Sequence, residues 1–206
     1  MVKTLLLLSH CSEAQGWLIN FLHERKVNKI AYIMDAKRPR FSIDPNHVLK
    51  DKTNFEEAGF KVKLIELGVL GPEEAKDQFE GCDAIYVKGG NTFWLLNAMK
   101  KSGFNKMVHG LVNKGVIYIG ESAGSYVACP TIEMAQWKNQ DKNIIKLKDL
   151  TALGLVPFLI TAHYKKELEP IIRPKIEKCK YKVKKLTDQE LILVEDGVGK
   201  LIKLEK

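Results

Sequence analysis

The chain has 206 residues, 45% of them hydrophobic and 28% charged, with 33 basic against 25 acidic side chains and a formal charge of +8. That make-up belongs to a folded globular protein and excludes a disordered, collagen-like or disulfide-stapled chain. At this length folding buries about 70% of the surface that the unfolded chain exposes, so no staple is needed.

The elements follow from the apolar pattern in chain order. Lys3–Ser9 is a short buried strand that stops at Ser9 and His10. Its apolar core, Leu5 to Leu8, is far shorter than the hydrophobic region of a signal peptide, and no stretch approaches the ~20 apolar residues of a membrane span. A soluble, cytoplasmic protein without a membrane partner is expected. Ser12 is expected to cap a helix that carries Trp17, Leu18, Phe21 and Leu22. Lys29–Met34 is a second strand, and a polar loop with Asp35, Arg38, Pro39 and Arg40 follows it. A helix over about His47–Ala58 ends at Gly59, and Lys61–Glu66 is a third strand. Pro72 opens another helix, where the first turn tolerates it. Ala84–Lys88 is a fourth strand that runs into Gly89-Gly90-Asn91-Thr92. Two helices, one with Trp94, Leu95 and Met99 and one with Met107, Val108, Leu111 and Val112, lead to a fifth strand, Val116–Ile119. Leu155–Ala162 reads as a sixth strand, Leu191–Val194 as a later one, and Val198–Leu204 as the last.

Strands alternating with helices imply a mostly parallel sheet covered on both faces, an α/β three-layer sandwich. No linker or repeat interrupts the pattern, so one domain over residues 1–206 is expected. Ligands in such sheets bind beyond the carboxyl ends of the strands, and the chemically capable residues of this chain do follow strands.

The basic excess is almost all lysine; Arg25, Arg38, Arg40 and Arg173 are the only arginines. Arginine is the better bidentate binder of phosphates and bases, so a wet lysine surface is expected and no nucleic-acid partner. The densest lysine patch, Lys178 to Lys185, alternates with Cys179, Tyr181 and Val183 and reads as a half-buried strand or helix end. Cys11, Cys82, Cys129 and Cys179 lie far apart with no zinc spacing, which predicts free thiols, no metal and no cofactor.

Gly120-Glu121-Ser122-Ala123-Gly124 matches G-x-S-x-G between a buried strand and a helix start. A nucleophile there needs small neighbours, because the turn is sharp and the hydroxyl must stand clear of the sheet. The bland alternative is a helix-capping serine. Of five histidines, His23, His47 and His109 read as packing or surface residues. His163, after the sixth strand and downstream of Ser122, is the expected base, with His10 second. Glu195, following Leu191–Val194, is the expected third member and Asp196 the runner-up; the same residues could instead form a hairpin turn with Gly197. Gly89 and Gly90 could present backbone N–H groups to an oxyanion, while Asn91 or Thr92 caps the next helix.

Together VKGGNTFWLL (87–96), GESAGSYVACPTI (120–132) and GLVPFLITAHY (154–164) resemble the dipeptidase E and cyanophycinase family of serine peptidases. The resemblance implies a class I glutamine amidotransferase-like (flavodoxin-like) fold and hydrolysis of short peptides by a Ser-His-Glu triad. It implies Ser122 as nucleophile, His163 as base and Glu195 as the acid. It implies Gly90 and the N–H of Ala123 at the oxyanion, and Asn91 against substrate. Arg173 would hold the side-chain carboxylate of an N-terminal aspartate. The sequence departs from the family at Lys88, where a third glycine often stands, and at Trp137, near an expected acid. Those departures motivate an alternative, a non-catalytic ligand-binding member of the same fold. A small peptide is the expected partner, and a monomer or homodimer the expected state.

Overall fold

The computed structural model describes residues 2–37, 45–138 and 141–204. The expected loop residues Arg38, Pro39 and Arg40 lie outside the described residues. Five parallel strands form the centre of the main sheet: β1 (Thr4–Leu8), β2 (Lys29–Ile33), β3 (Lys61–Ile65), β4 (Ala84–Val87) and β5 (Ile117–Glu121), in the order β3-β2-β4-β5-β1. Two late strands extend it beside β1. β8 (Glu190–Glu195) runs antiparallel to β1, and β9 (Val198–Lys203) runs antiparallel to β8. β6 (Leu159–Thr161) and β7 (Val183–Lys185) pair with each other, parallel, in a separate small sheet.

The apolar strands are buried because both faces are covered, and alternation assigns each side chain to a face. Leu6, Leu8, Ile30, Tyr32, Tyr86 and Ile119 face one core, which α1 (Cys11–Glu24) and α2 (Pro45–Glu57) close with Leu18, Leu22 and Phe55. Leu5, Leu7, Ile33, Ile85, Val87 and Tyr118 face the other. There α4 (Thr92–Lys101), α5 (Phe104–Asn113) and α6 (Ala123–Val127) supply Phe93, Leu96, Phe104 and Val127, and Phe79 joins them just past α3 (Pro72–Gln78). Each fully buried Leu or Phe contributes roughly 1.5–3 kcal/mol, which is what fixes the sheet between its two helix layers. The last helix, α7 (Glu169–Lys178), packs mainly through Ile172.

Three expectations change. His10, not Ser12, caps α1: its Nδ1 accepts from the Ser12 N–H at 3.3 Å. The sixth strand shrinks to Leu159–Thr161 and leaves the main sheet. Pro157 has no N–H to donate to a ladder, so pairing begins only after it. The late strand Leu191–Val194 lies in the main sheet but is reversed, an orientation that an apolar run does not encode.

Candidate active site

Ser122 follows β5 with φ 49° and ψ −103°, a conformation that a side chain with a Cβ resists. Its N–H donates to the Leu8 carbonyl at 2.9 Å and its carbonyl accepts from the Tyr126 N–H at 2.9 Å, so both strands and the helix hold it. The flanking glycines serve close approach. A Cβ on Gly120 would stand 2.5 Å from the Gly124 carbonyl carbon, and one on Gly124 would run into the Val87 carbonyl oxygen. The strain is carried by the serine itself.

His163 Nε2 lies 3.0 Å from Ser122 Oγ, and its Nδ1 lies 2.6 Å from Asp188 Oδ1. An ionised carboxylate at Nδ1 fixes the proton there and leaves Nε2 to accept from the serine. Asp188 also accepts from Ser9 Oγ at 2.6 Å, and Ser9 Oγ accepts from the His163 N–H at 2.7 Å. Burial raises the Asp188 carboxyl, but the Ser9 hydroxyl and the His163 ring outweigh it and hold the group below the ordinary aspartate value. His163 itself is left-handed, with φ 52°. The preceding Ala162 is held at both ends, its N–H donating to Tyr126 Oη at 3.1 Å and its carbonyl accepting from Lys138 Nζ.

Glu195 is not at this site. In the antiparallel register Glu195 pairs with Thr4, at the opposite end of β1 from Leu8, which pairs with Leu191. Four residues of strand, roughly 13 Å, separate those ends. Glu195 instead forms an ion pair with Arg25 at 2.7 Å. Asp196 and Gly197, with φ 46° and 84°, make the tight two-residue turn into β9, and Asp196 Oδ1 accepts from the Lys3 N–H at 2.9 Å. The hairpin alternative is the one observed. Asp188 and Ser9 were missed. The available signal was Ser9 at the end of the first strand and an aspartate just before a late one.

The Gly89-Gly90 turn abuts the serine. A Cβ on Gly89 would lie 3.1 Å from Ser122 Cβ, and Gly90, at φ 150°, sits so close to Ala36 that a Cβ would strike its carbonyl oxygen. Gly89 N–H donates to Glu121 Oε2 at 3.1 Å and Asn91 N–H to Ala36 O at 2.9 Å, which leaves the Gly90 N–H between them as the turn's candidate donor. Asn91 acts as a cap: its Oδ1 accepts from the Phe93 and Trp94 N–H groups at 3.1 Å each, and its Nδ2 donates to Lys142 O at 3.0 Å. Thr92 donates to Asp141 through both N–H and hydroxyl. Arg173 is largely exposed and pairs with Glu169 on its own helix at 3.3 Å. His10 borders the site, its ring 6.1 Å from that of His163.

Under the turn lies a buried charge cluster. Lys88 pairs with Asp51 and with Glu121, the latter at 3.0 Å, and Tyr86 Oη lies 3.2 and 3.1 Å from the same two carboxylates. Burial opposes the Lys88 charge, but Glu121 and Asp51 more than reverse this and raise its pKa; burial likewise opposes the Glu121 charge, and Lys88 more than reverses it. Among the described residues no group of His, Cys, Asp and Glu is arranged to hold a metal ion, and no helix is long and apolar enough to cross a membrane.

The sequence profile of Peptidase family S51 matches residues 5–202. The chain is 33% identical over 178 residues to Peptidase E of Nostoc sp. (strain PCC 7120), covering 82% of this chain and 69% of that protein. It is 31% identical over 155 residues to the uncharacterized peptidase Lin0382 of Listeria innocua, 73% of each chain. A crystal structure of a candidate peptidase E protein from Listeria monocytogenes EGD-e superposes with a TM-score of 0.84 at 25% identity, over 100% of both chains. The chain belongs to Peptidase family S51 and is a serine-type peptidase that acts on short peptides.

Proposed function

We propose that Ser122 is the nucleophile, His163 the general base and Asp188 the acid that orients it. The observation that carries this reading is the unbroken chain from Ser122 Oγ to His163 to Asp188, at 3.0 and 2.6 Å. In the first half-reaction Ser122 Oγ bonds to the scissile carbonyl carbon and its proton passes to His163 Nε2. The N–H groups of Gly90 and Ala123 receive the oxyanion. The C–N bond breaks as His163 returns the proton to the leaving amine, which gives an acyl-enzyme. Water, deprotonated by His163, then releases the acid and restores Ser122. Asp188 stays ionised and stabilises the imidazolium.

The preferred substrates on this reading are dipeptides, those with an N-terminal aspartate first among them. Arg173 faces Glu169 rather than Ser122. Lys138 is the cationic side chain bonded to the segment that carries His163, and it is the better candidate for an acidic substrate group. The same reading assigns a class I glutamine amidotransferase-like fold in one domain; strands from both ends of the chain, β1 and β8, lie side by side.

The test is hydrolysis of an Asp-X and Ala-X dipeptide panel, with fluorophosphonate labelling in parallel. Wild type should label at Ser122 and cleave. Ser122→Ala should lose labelling and at least about 10⁴-fold in kcat. Cleavage unchanged in Ser122→Ala overturns the nucleophile. Absence of labelling across pH 6–9, with dipeptide binding retained, would favour a ligand-binding member of the fold.

A further inference from the structure

Glu121 stands immediately before the nucleophile, and its backbone closes β5. Its side chain turns back across the strand ends and is only 7% exposed. Oε2 accepts from the Gly89 N–H at 3.1 Å and lies 3.0 Å from Lys88 Nζ, while Oε1 accepts from the Cys11 N–H at 3.4 Å. One carboxylate therefore joins the ends of three neighbouring strands: β4 through Gly89, β5 through its own backbone, and β1 through the start of α1.

A buried carboxylate is costly unless its lone pairs are filled and its charge is matched. Here the match is made from two sides. Lys88 leaves β4 in the same turn, and Asp51 approaches from α2. The cluster holds two carboxylates and one ammonium, with the Tyr86 hydroxyl between the carboxylates. Tyr32 Oη is a neighbouring buried hydroxyl with no hydrogen-bond partner among the described residues.

We propose that Glu121, paired with Lys88, is a positioning residue that fixes the Gly89-Gly90 turn against Ser122, and that Asp51 sets how strongly Lys88 is held. This rests on Ser122 being the nucleophile. The turn supplies an oxyanion donor, so its position relative to Ser122 acts in the transition state more than on bound substrate. Losing Glu121 then lowers kcat with little change in KM.

Among the described residues, the charges that face Lys88 are Asp51 on α2 and Glu121 on β5; Tyr86 on β4, Tyr32 on β2 and Cys11 on α1 are the neutral titratable neighbours, and His10 lies beyond Glu121. Without the ammonium, two carboxylates face each other across one tyrosine hydroxyl, and one must take a proton or the turn must shift. The defect of Lys88→Met therefore deepens as pH rises. Removing the surplus carboxylate as well, in Lys88→Met with Asp51→Leu, relieves it.

The experiment measures kcat, KM and the fluorophosphonate labelling rate of Ser122 for wild type, Glu121→Gln, Lys88→Met and the double variant from pH 6 to 9, with circular dichroism to verify folding. Glu121→Gln should lose at least about 10-fold in kcat and in labelling rate, with KM within about twofold. Lys88→Met should fall further behind wild type as pH rises, and the double variant should recover most of that loss. Folded Glu121→Gln with wild-type kcat overturns the proposal. So does a double variant no faster than Lys88→Met, a comparison that stands even if Glu121→Gln does not fold. Wild type that neither cleaves nor labels refutes the nucleophile reading instead.

Discussion

Asp188 precedes β8 and Glu195 ends it, and because β8 runs against β1 it is Asp188 that comes to the end of the sheet where Ser122 stands. Asp188 reaches His163 Nδ1 at 2.6 Å, whereas Glu195 reaches Arg25 at 2.7 Å. The two acids are therefore separable by mutation. Asp188→Ala should lower kcat by about 10³–10⁴-fold, through loss of the correct tautomer and of imidazolium stabilisation. Glu195→Ala should leave kcat within about twofold and cost at most about 1 kcal/mol of stability, since its ion pair is half exposed. Dipeptide kinetics and urea unfolding of both variants check this. Normal kinetics in Asp188→Ala would reject Asp188.

Ser9 holds both partners of that pair, donating to Asp188 at 2.6 Å and accepting from the His163 N–H at 2.7 Å. Ser9→Ala removes one acceptor from a left-handed histidine and one donor from a partly exposed carboxylate. A loss of about 10-fold in kcat, with little change in KM, is expected. It should be accompanied by a rise in the Asp188 pKa, readable by carboxyl-carbon NMR. An unchanged Asp188 titration would show that the serine does not hold the carboxylate.

Burial pushes the Lys138 ammonium down to about 8, against Asp188 and Asp141, which pull it up. Its folded pKa lies below the unfolded value near 10.5. Between pH 8 and 10.5 the unfolded chain keeps a proton that the folded chain has released, so this group adds stability as pH rises through that window. The gain is about 1–2 kcal/mol once solvent screening is allowed for. Urea unfolding at pH 7.5 and pH 10 should show a smaller pH slope in Lys138→Met than in wild type. An equal slope would contradict the shift.

Gly124 packs where a Cβ would run into the Val87 carbonyl, between β4 and the start of α6. Gly124→Ala should cost more than about 2–3 kcal/mol, because backbone and not a movable side chain is in the way. Thermal denaturation reads the loss. A variant as stable as wild type would show that the elbow has room it is not seen to have.

Ser122 and His163 were legible because each belongs to a local pattern: a serine between glycines after a buried strand, and a histidine after an apolar run. The five parallel strands were legible for the same reason, from short buried runs punctuated by helical spacing. Asp188 as the partner of His163 was not, because its place depends on the direction of β8, an inner strand between β1 and β9. Leu-Ile-Leu-Val reads the same either way round, and Thr187-Asp188-Gln189-Glu190 reads as an ordinary polar turn. The hairpin turn at Asp196-Gly197 was legible, but it fixes β9 against β8 and says nothing of β8 against β1. Asn91 was legible twice, as cap and as substrate contact. The structure uses its side chain as the cap, since both ends of the amide are already bonded. The Lys88 cluster was hidden because Asp51 comes from α2, where nothing in the local sequence marks it as buried.

The place of β8 beside β1 also bears on when the protein can act. A chain emerging from the ribosome yields Ser122 and its elbow first, then His163, and only afterwards Asp188 and the strand that carries it to the sheet edge. Until β8 docks, the imidazole has no carboxylate and the serine no properly oriented base. On the proposed assignment, cleavage therefore waits for β8: a nascent chain that has released Ser122 and His163 but not Asp188 should not yet hydrolyse peptides.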